Sequence, residues 1–159
     1  MHAYALEYLE EYLKPGNKVL DVGSGSGYLT ACMAAMVKPN GLVVGIDHVK
    51  QLVDLSISNI SASNREWLDT GLIKMVTGDG RKGCIEYGPY DCIHVGAASP
   101  TEPIELINQL KNNGRMFIPI GADSQQIYVY TKDNEGRVSK DAVLGVIYVP
   151  LTDLQKQIG

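Results

Sequence analysis

Long apolar stretches are missing from this 159-residue sequence, and none approaches the about 20 residues that a transmembrane helix requires. The first residues also lack the charged segment and following apolar segment that typify a secretory signal. Cysteine is scarce and odd in number, with Cys32, Cys84 and Cys92. None of them forms the CxxC pair of a zinc knuckle or the even set of a disulfide framework. We therefore expect a protein of the reducing cytoplasm, with no membrane contact, no disulfides and no metal site.

Positive charge is in deficit, since 14 Lys and Arg face 18 Asp and Glu and the net charge is −4. Nonspecific nucleic-acid binding requires clustered positive charge, so we expect no nucleic-acid partner. Apolar residues make up 45% of the chain and charged residues 20%, which is typical of a globular protein rather than a disordered one. The length suits one domain with one core, and we expect residues 1–159 to form a single domain.

Short apolar strands alternate with helical segments along the chain. Strand patterns cover residues 18–22, 42–46, 72–77, 90–95 and 114–120, and helical patterns cover residues 3–14, 28–37, 49–60 and 103–110. Residues 61–70 are polar and are interpreted as a loop, with a helical turn near Trp67 as the alternative. This alternation predicts an α/β fold with a doubly wound, mostly parallel sheet that is covered on both faces. Residues 125–131 and 142–149 are predicted as two final strands, which as a hairpin would add an antiparallel edge.

Three alternating glycines, Gly23, Gly25 and Gly27, follow the first predicted strand and precede a helix. This junction borders the ligand crevice of a doubly wound sheet, and glycine there lets the backbone approach a ligand closely. A dinucleotide site would have the spacing G-x-G-x-x-G, whereas the spacing here is G-x-G-x-G and Tyr28 stands at the place of the third glycine. A plain structural turn would account for one or two of these glycines. We interpret the set of three as a ligand-binding turn.

Three aspartates lie at or after the ends of predicted strands. Asp21 precedes the first glycine by two residues, and a carboxylate there would repel a pyrophosphate and suit a cationic ligand. Asp47 lies 20 residues beyond Gly27, where an acidic residue accepts hydrogen bonds from a ribose; the alternative is a helix cap for the segment from Val49. Asp79 would accept from an adenine amino group or form a plain Asp-Gly turn. Together they predict a pocket for a positively charged ribonucleoside without phosphate, which S-adenosylmethionine fits better than NAD or ATP.

Several strings of this sequence resemble those of one enzyme family. Residues 20–27, LDVGSGSG, are similar to motif I of the class I methyltransferases, which names only a superfamily. Five further strings resemble protein-L-isoaspartate (D-aspartate) O-methyltransferase: MHAYALE at 1–7, GIDH at 45–48, GDGR at 78–81, YDCIHVGAA at 90–98 and GVIYVPLTD at 145–153. The resemblance runs in register from Met1 to about Gln157 and is greatest to the animal-type enzymes.

This resemblance implies a Rossmann-like class I methyltransferase fold and a protein repair reaction. Such enzymes transfer a methyl group from S-adenosylmethionine to the free carboxylate of L-isoaspartyl residues, and more weakly D-aspartyl residues, in damaged proteins, and release S-adenosylhomocysteine. Matching positions imply cofactor contacts at His2, Ser26, Asp47, His48, Asp79, Gly80, Thr152 and Gln157, beside the motif I residues Asp21, Gly23, Gly25 and Gly27. The segment Val149-Pro150-Leu151 resembles the one that grips the substrate peptide. The family is typically monomeric, so the resemblance implies a monomer whose partners are isoaspartyl-containing proteins and peptides.

The family pattern is incomplete at one point. Relatives carry a Ser-Ala-Pro-His segment immediately before the methionine that is Met1 here, and the serine of that segment is regarded as the active-site residue. No catalytic residue is therefore assigned within this chain, and we expect a methyltransferase domain that lacks the family's N-terminal region. The alternative function is a truncated, catalytically weak or inactive S-adenosylmethionine-binding module of the same fold.

Carboxylate methylation makes few demands on catalytic side chains. An aspartyl carboxyl group titrates near about 4, so the nucleophile is ionised at neutral pH and no general base is required. The enzyme has to hold the carboxylate in line with the methyl group and exclude water. His94, at the end of a predicted strand, is accordingly interpreted as a structural residue.

Overall fold

Seven strands form one sheet in residues 2–146, the part of the chain that the computed structural model describes. The strands are β1 (Lys18–Val22), β2 (Leu42–Asp47), β3 (Ile73–Thr77), β4 (Tyr90–Val95), β5 (Leu110–Ile120), β6 (Gln125–Lys132) and β7 (Val138–Val146). Their order across the sheet is β3-β2-β1-β4-β5-β6-β7. Neighbours from β3 to β5 are parallel, whereas β6 pairs antiparallel with both β5 and β7. This topology confirms the predicted α/β fold with a mostly parallel sheet and an antiparallel edge.

Four α-helices lie in the described residues: α1 (His2–Leu9), α2 (Tyr28–Val37), α3 (Lys50–Asp69) and α4 (Ile104–Asn108). The prediction of a loop at residues 61–70 is wrong, because α3 continues to Asp69 through a kink at Asn64 (φ −146°, ψ 52°). Trp67 and Leu68 in this stretch pack against the core. A helix that lies on a sheet needs only a narrow apolar stripe, so its polar composition misled the sequence-based interpretation.

Two strands also begin four residues before their predicted starts, β5 at Leu110 and β7 at Val138. In both cases strand pairing decides the boundary, since Leu110 pairs with Tyr90 of β4 and Val138 pairs with Lys132 of β6. The described part of β7 ends at Val146, and the predicted strand residues 147–149 lie outside the described residues.

Apolar side chains cover both faces of the sheet. Successive residues of β1 belong to different clusters, Val19 to one and Leu20 to the other, because side chains along a strand alternate between its two faces. One cluster packs under the first three helices and includes Leu9, Met33, Val37, Ile60 and Phe117. The other lies on the α4 side and includes Ile46, Leu106, Met116 and Tyr130. The central strands are therefore buried on both faces and hold their ends in a defined position.

The carboxyl ends of the parallel strands meet at one edge of the sheet. The Gly23 amide donates to the Ile46 carbonyl at 2.8 Å, and the Gly96 amide donates to the Val22 carbonyl at 2.9 Å. The residues that follow β1 and β4 are thus tied by backbone hydrogen bonds to the ends of the neighbouring strands β2 and β1. This edge is where the predicted site residues of the glycine turn and the three aspartates are placed.

Candidate functional site

The turn between β1 and α2 has left-handed backbone at all three of its glycines, with φ of 76° at Gly23, 53° at Gly25 and 85° at Gly27. Residues with a side chain rarely adopt this conformation. At Gly25 an added Cβ would meet nothing within 4 Å, so the backbone there borders open space. At Gly27, the N-cap of α2, an added Cβ would lie 2.9 Å from the Cβ of Ser56. The turn therefore exposes its backbone at Gly25 and packs tightly against α3 at Gly27.

Asp21, on β1, is buried at 1% exposure. One carboxylate oxygen accepts a hydrogen bond from Thr30 Oγ1 at 2.7 Å. The other lies 2.9 Å from Nδ1 of His94, which occupies the paired position on β4. Both oxygens thus have protein partners, and Asp21 is a paired carboxylate rather than a bare charge in the crevice.

A cavity of about 200 Å³ lies between the glycine turn, α1 and the end of β4. It brings together five predicted site residues, His2, Asp21, Gly23, Gly25 and Ser26, with five further residues, Ser24, Tyr28, Leu29, His94 and Gly96. The His2 and Tyr28 rings stack at one side, with centroids 5.9 Å apart and planes 21° apart. The cavity is therefore built from three elements that are distant in sequence.

Asp47, at the end of β2, reaches back to the glycine turn. One of its oxygens accepts from the Gly25 amide at 3.1 Å and the other accepts from the Val49 amide at 3.0 Å. The cap alternative is not realised in its usual form, because Val49 is itself the N-cap of α3 and makes no side-chain capping bond. Asp47 and the half-buried His48 beside it lie outside the lining of the cavity, at the same edge of the sheet.

Asp79 and Gly80 follow β3 at this edge. Asp79 caps a short 3₁₀ turn (Gly80–Lys82), accepting from the Arg81 amide at 3.0 Å, and its carboxylate also receives the Arg81 guanidinium at 2.9–3.2 Å. An added Cβ at Gly80 would lie 2.5 Å from Val22 Cγ1, so only glycine fits this close to the end of β1. The Asp-Gly turn alternative is therefore realised, and adenine recognition by Asp79 stays a prediction.

The Arg81 guanidinium holds the pKa of the Asp79 carboxyl below its usual range through side-chain hydrogen bonds. Arg81→Met is expected to raise that pKa towards the ordinary aspartate value, because the donors are lost. A lowered folded-state pKa contributes stability that is present at neutral pH and lost as the pH falls through it. A ¹³C NMR titration of the carboxyl group measures this change. Lys82→Met is the matched control, since Lys82 contributes only a smaller Coulombic effect, and equal shifts in both variants would contradict the assignment.

Gly27 borders a second, larger groove of about 520 Å³ between α2 and α3.

The predicted residues Val149, Pro150, Leu151, Thr152 and Gln157 lie outside the described residues. Within residues 2–146 no three His, Cys, Asp or Glu side chains are grouped as metal ligands. In the same residues no helix combines the length and apolar character needed to cross a membrane. Burial raises the pKa of the Cys92 thiol.

Ser24 and His94 line the cavity but were not selected as site residues from the sequence. Ser24 lies inside the glycine run and could have been included by position alone. His94 becomes a neighbour of Asp21, 73 residues away, only because β1 and β4 are adjacent and in this register. The local sequence does not determine the order of the strands in the sheet, so the contact between Asp21 and His94 could not be predicted from it.

Comparisons with known proteins give a consistent result. The sequence model of the family protein-L-isoaspartate(D-aspartate) O-methyltransferase matches residues 1–156. The chain is 49% identical to protein-L-isoaspartate O-methyltransferase 1 of Arabidopsis thaliana, covering 99% of this chain and 69% of the relative. It is 50% identical to the Caenorhabditis elegans protein-L-isoaspartate O-methyltransferase, covering 99% and 70%.

A solved structure shares the fold. It is a candidate protein-L-isoaspartate O-methyltransferase from Plasmodium falciparum in complex with S-adenosyl-L-homocysteine. The TM-score is 0.87 at 37% sequence identity, and the match covers 96% of this chain and 73% of that chain.

Proposed function

The chain belongs to the protein-L-isoaspartate(D-aspartate) O-methyltransferase family, and we propose that it repairs damaged proteins by methylating them. The methyl group passes from S-adenosylmethionine to the free carboxylate of L-isoaspartyl residues, and more weakly of D-aspartyl residues. S-adenosylhomocysteine, the product of this transfer, is the ligand of the Plasmodium falciparum structure. The chain is accordingly an S-adenosylmethionine-dependent methyltransferase of class I fold.

The cavity at the glycine turn is the observation that carries this proposal. Its backbone is open at Gly25, and its polar lining includes the Asp21–His94 pair. The Ser24 hydroxyl is buried there without a hydrogen-bond partner among the described residues. A buried polar group without a partner costs about 1–3 kcal/mol, and a polar ligand group offers such partners. None of the residues 2–146 that line the cavity is a Lys or Arg, which suits a cationic ligand without phosphate.

The proposed cofactor-binding residues that the structure describes lie at this cavity and at the edge of the sheet beside it. They are His2, Asp21, Gly23, Gly25, Ser26, Gly27, Asp47, His48, Asp79 and Gly80. Thr152 and Gln157, which lie outside the described residues, are proposed as further cofactor contacts. The segment 149–151 is proposed to bind the substrate peptide. Asp47 supports this arrangement because it already holds the Gly25 amide and keeps the turn in shape.

The cofactor supplies an electrophilic methyl group, and the chain's residues supply position and a dry environment. The substrate carboxylate is ionised at neutral pH because its pKa is near about 4, so no side chain has to remove a proton. The left-handed glycine turn and the Asp47 carboxylate that holds its Gly25 amide keep the binding backbone fixed, which lowers the cost of bringing the reactants together. The buried apolar side chain of Leu29 helps to exclude water from the cavity.

The proposed function also suggests an oligomeric state, a compartment and partners for this chain. We propose a monomer with one methyltransferase domain that acts in the cytoplasm on isoaspartyl-containing proteins and peptides, without nucleic-acid or membrane partners. A second candidate is a module that binds S-adenosylmethionine without turnover, since the match covers 69% and 70% of the length of the two curated relatives above.

A labelled transfer assay separates these functions. Purified chain is incubated with methyl-labelled S-adenosylmethionine and either an isoaspartyl peptide or its normal-aspartyl twin, with a full-length relative as positive control. Repair activity is expected to label the isoaspartyl peptide alone. Label on both peptides would contradict the proposed specificity. Cofactor binding by calorimetry with no label on either peptide would favour the second candidate.

A further inference from the structure

The cavity at the glycine turn is too small for a whole nucleoside cofactor. Its volume is about 200 Å³, whereas sites for small molecules usually measure about 300–1,000 Å³. It therefore suits one compact end of a ligand whose remainder lies along the edge of the sheet.

The His94 ring presents one nitrogen for such a ligand. A carboxylate has only acceptors, so the hydrogen between Asp21 and His94 sits on Nδ1, and Nε2 of this tautomer is an acceptor. Nε2 makes no hydrogen bond to any of the residues 2–146, and His94 lines the cavity. Nε2 is thus the ring atom that is left for a ligand.

The surroundings of His94 hold that acceptor in place. The ring stacks on Phe117 with centroids 6.1 Å apart and planes 15° apart, and Phe117 is fully buried. Asp21 fixes the ring from Nδ1 and is itself fixed by Thr30. The His94 ring is therefore held from two sides before a ligand binds, and it loses little conformational freedom on binding.

The charge of the cavity favours a cation. The Asp21–His94 pair carries one negative charge when the ring is neutral, and the described part of the chain adds no Lys or Arg to the lining. The other titratable side chains of the lining are His2 and Tyr28, which stack on each other. A primary ammonium group fits both the negative charge of the cavity and the acceptor Nε2, because it carries a positive charge and N–H donors.

We infer that Nε2 of His94 accepts a hydrogen bond from the α-ammonium group at the amino-acid end of the cofactor, and that Asp21 orients the ring for this contact. The inference rests on the proposed cofactor. It assigns to His94 a binding role that is absent from the family-derived contacts above, and it makes Asp21 a positioning residue that acts through His94.

Two variants separate ligand binding from packing. His94→Asn keeps an amide donor near the Nδ1 position but has no acceptor at the Nε2 position, whereas His94→Gln offers an acceptor near Nε2. Calorimetry compares S-adenosylhomocysteine with its deaminated analogue, in which hydrogen replaces the ammonium group. The wild-type chain is expected to prefer S-adenosylhomocysteine by about tenfold or more, which is typical of a charge-assisted hydrogen bond. His94→Asn should reduce this preference to about twofold, and His94→Gln should retain most of it.

A second measurement requires no variant. ¹⁵N NMR of the His94 ring is expected to show a shift of the unprotonated Nε2 resonance when S-adenosylhomocysteine is added, and no such shift with the deaminated analogue. Equal shifts with both ligands, or an unchanged preference in His94→Asn, would overturn the inference and leave the proposed function standing. Failure of the wild-type chain to bind S-adenosylhomocysteine at all would overturn both.

Discussion

Gly27→Ala is expected to destabilise the protein by about 2–5 kcal/mol, from backbone strain and overpacking together. Gly27 has φ of 85°, and an alanine Cβ would lie 2.9 Å from Ser56 Cβ and 3.3 Å from Ser56 Cα. Ser56 is fully buried in α3, so the contact pushes α2 and α3 apart. Each kcal/mol lowers the melting temperature by about 2–4 °C in a domain of this size, and thermal unfolding followed by circular dichroism measures the change.

Two other glycines provide matched controls for this prediction. Gly16 has φ of 89° and Gly25 has φ of 53°, and an added Cβ would meet nothing within 4 Å at either position. Both alanine variants are expected to lose only about 1–3 kcal/mol of stability, which is the cost of backbone strain at a positive φ. Gly25→Ala should in addition weaken S-adenosylhomocysteine binding, because its Cβ would enter the cavity. A melting temperature for Gly27→Ala no lower than that of Gly16→Ala would show that the contact with Ser56 is relieved without cost.

Asp21→Ala is expected to lower the free energy of unfolding by about 2–6 kcal/mol, because it leaves two buried donors without an acceptor, at about 1–3 kcal/mol each. The substitution removes the acceptor of both Thr30 Oγ1 and His94 Nδ1, and both of these residues are buried. It also leaves a gap beside the cavity. Denaturant unfolding gives the stability, and calorimetry with S-adenosylhomocysteine gives the accompanying loss of binding.

Asp91→Ala is the matched control for Asp21→Ala. Asp91 lies on β4 and accepts a hydrogen bond from the Lys18 amide at 2.8 Å, but its side chain is 24% exposed, so water can replace the lost acceptor. We expect a loss of about 1 kcal/mol and unchanged ligand binding. Asp21→Asn should fall between the two alanine variants in stability, because it keeps the shape and one acceptor oxygen. Similar losses for Asp21→Ala and Asp91→Ala would contradict the role assigned to the buried pair.

Much of the architecture was predictable because its signals are local. The strand Lys18–Val22 and the helix Tyr28–Val37 have the predicted bounds, since a short apolar run and a helical apolar face are each visible within ten residues. The glycine turn between them was equally visible. The prediction of a loop at residues 61–70 failed because the signal there is not local. The kink at Asn64 interrupts the helical period, and only the packing against the sheet shows why Trp67 belongs to the core.

The sequence by itself determined the fold class and the place of the glycine turn, because periodicity and turn residues are properties of adjacent residues. The family was visible through the resemblance of the sequence strings to those of known relatives. The tertiary structure alone decided how the aspartates are used. Asp47 holds the Gly25 amide across 22 residues, and Asp21 meets His94 across 73. Such contacts depend on which strands are neighbours and in what register, and that is settled by the packing of the whole sheet.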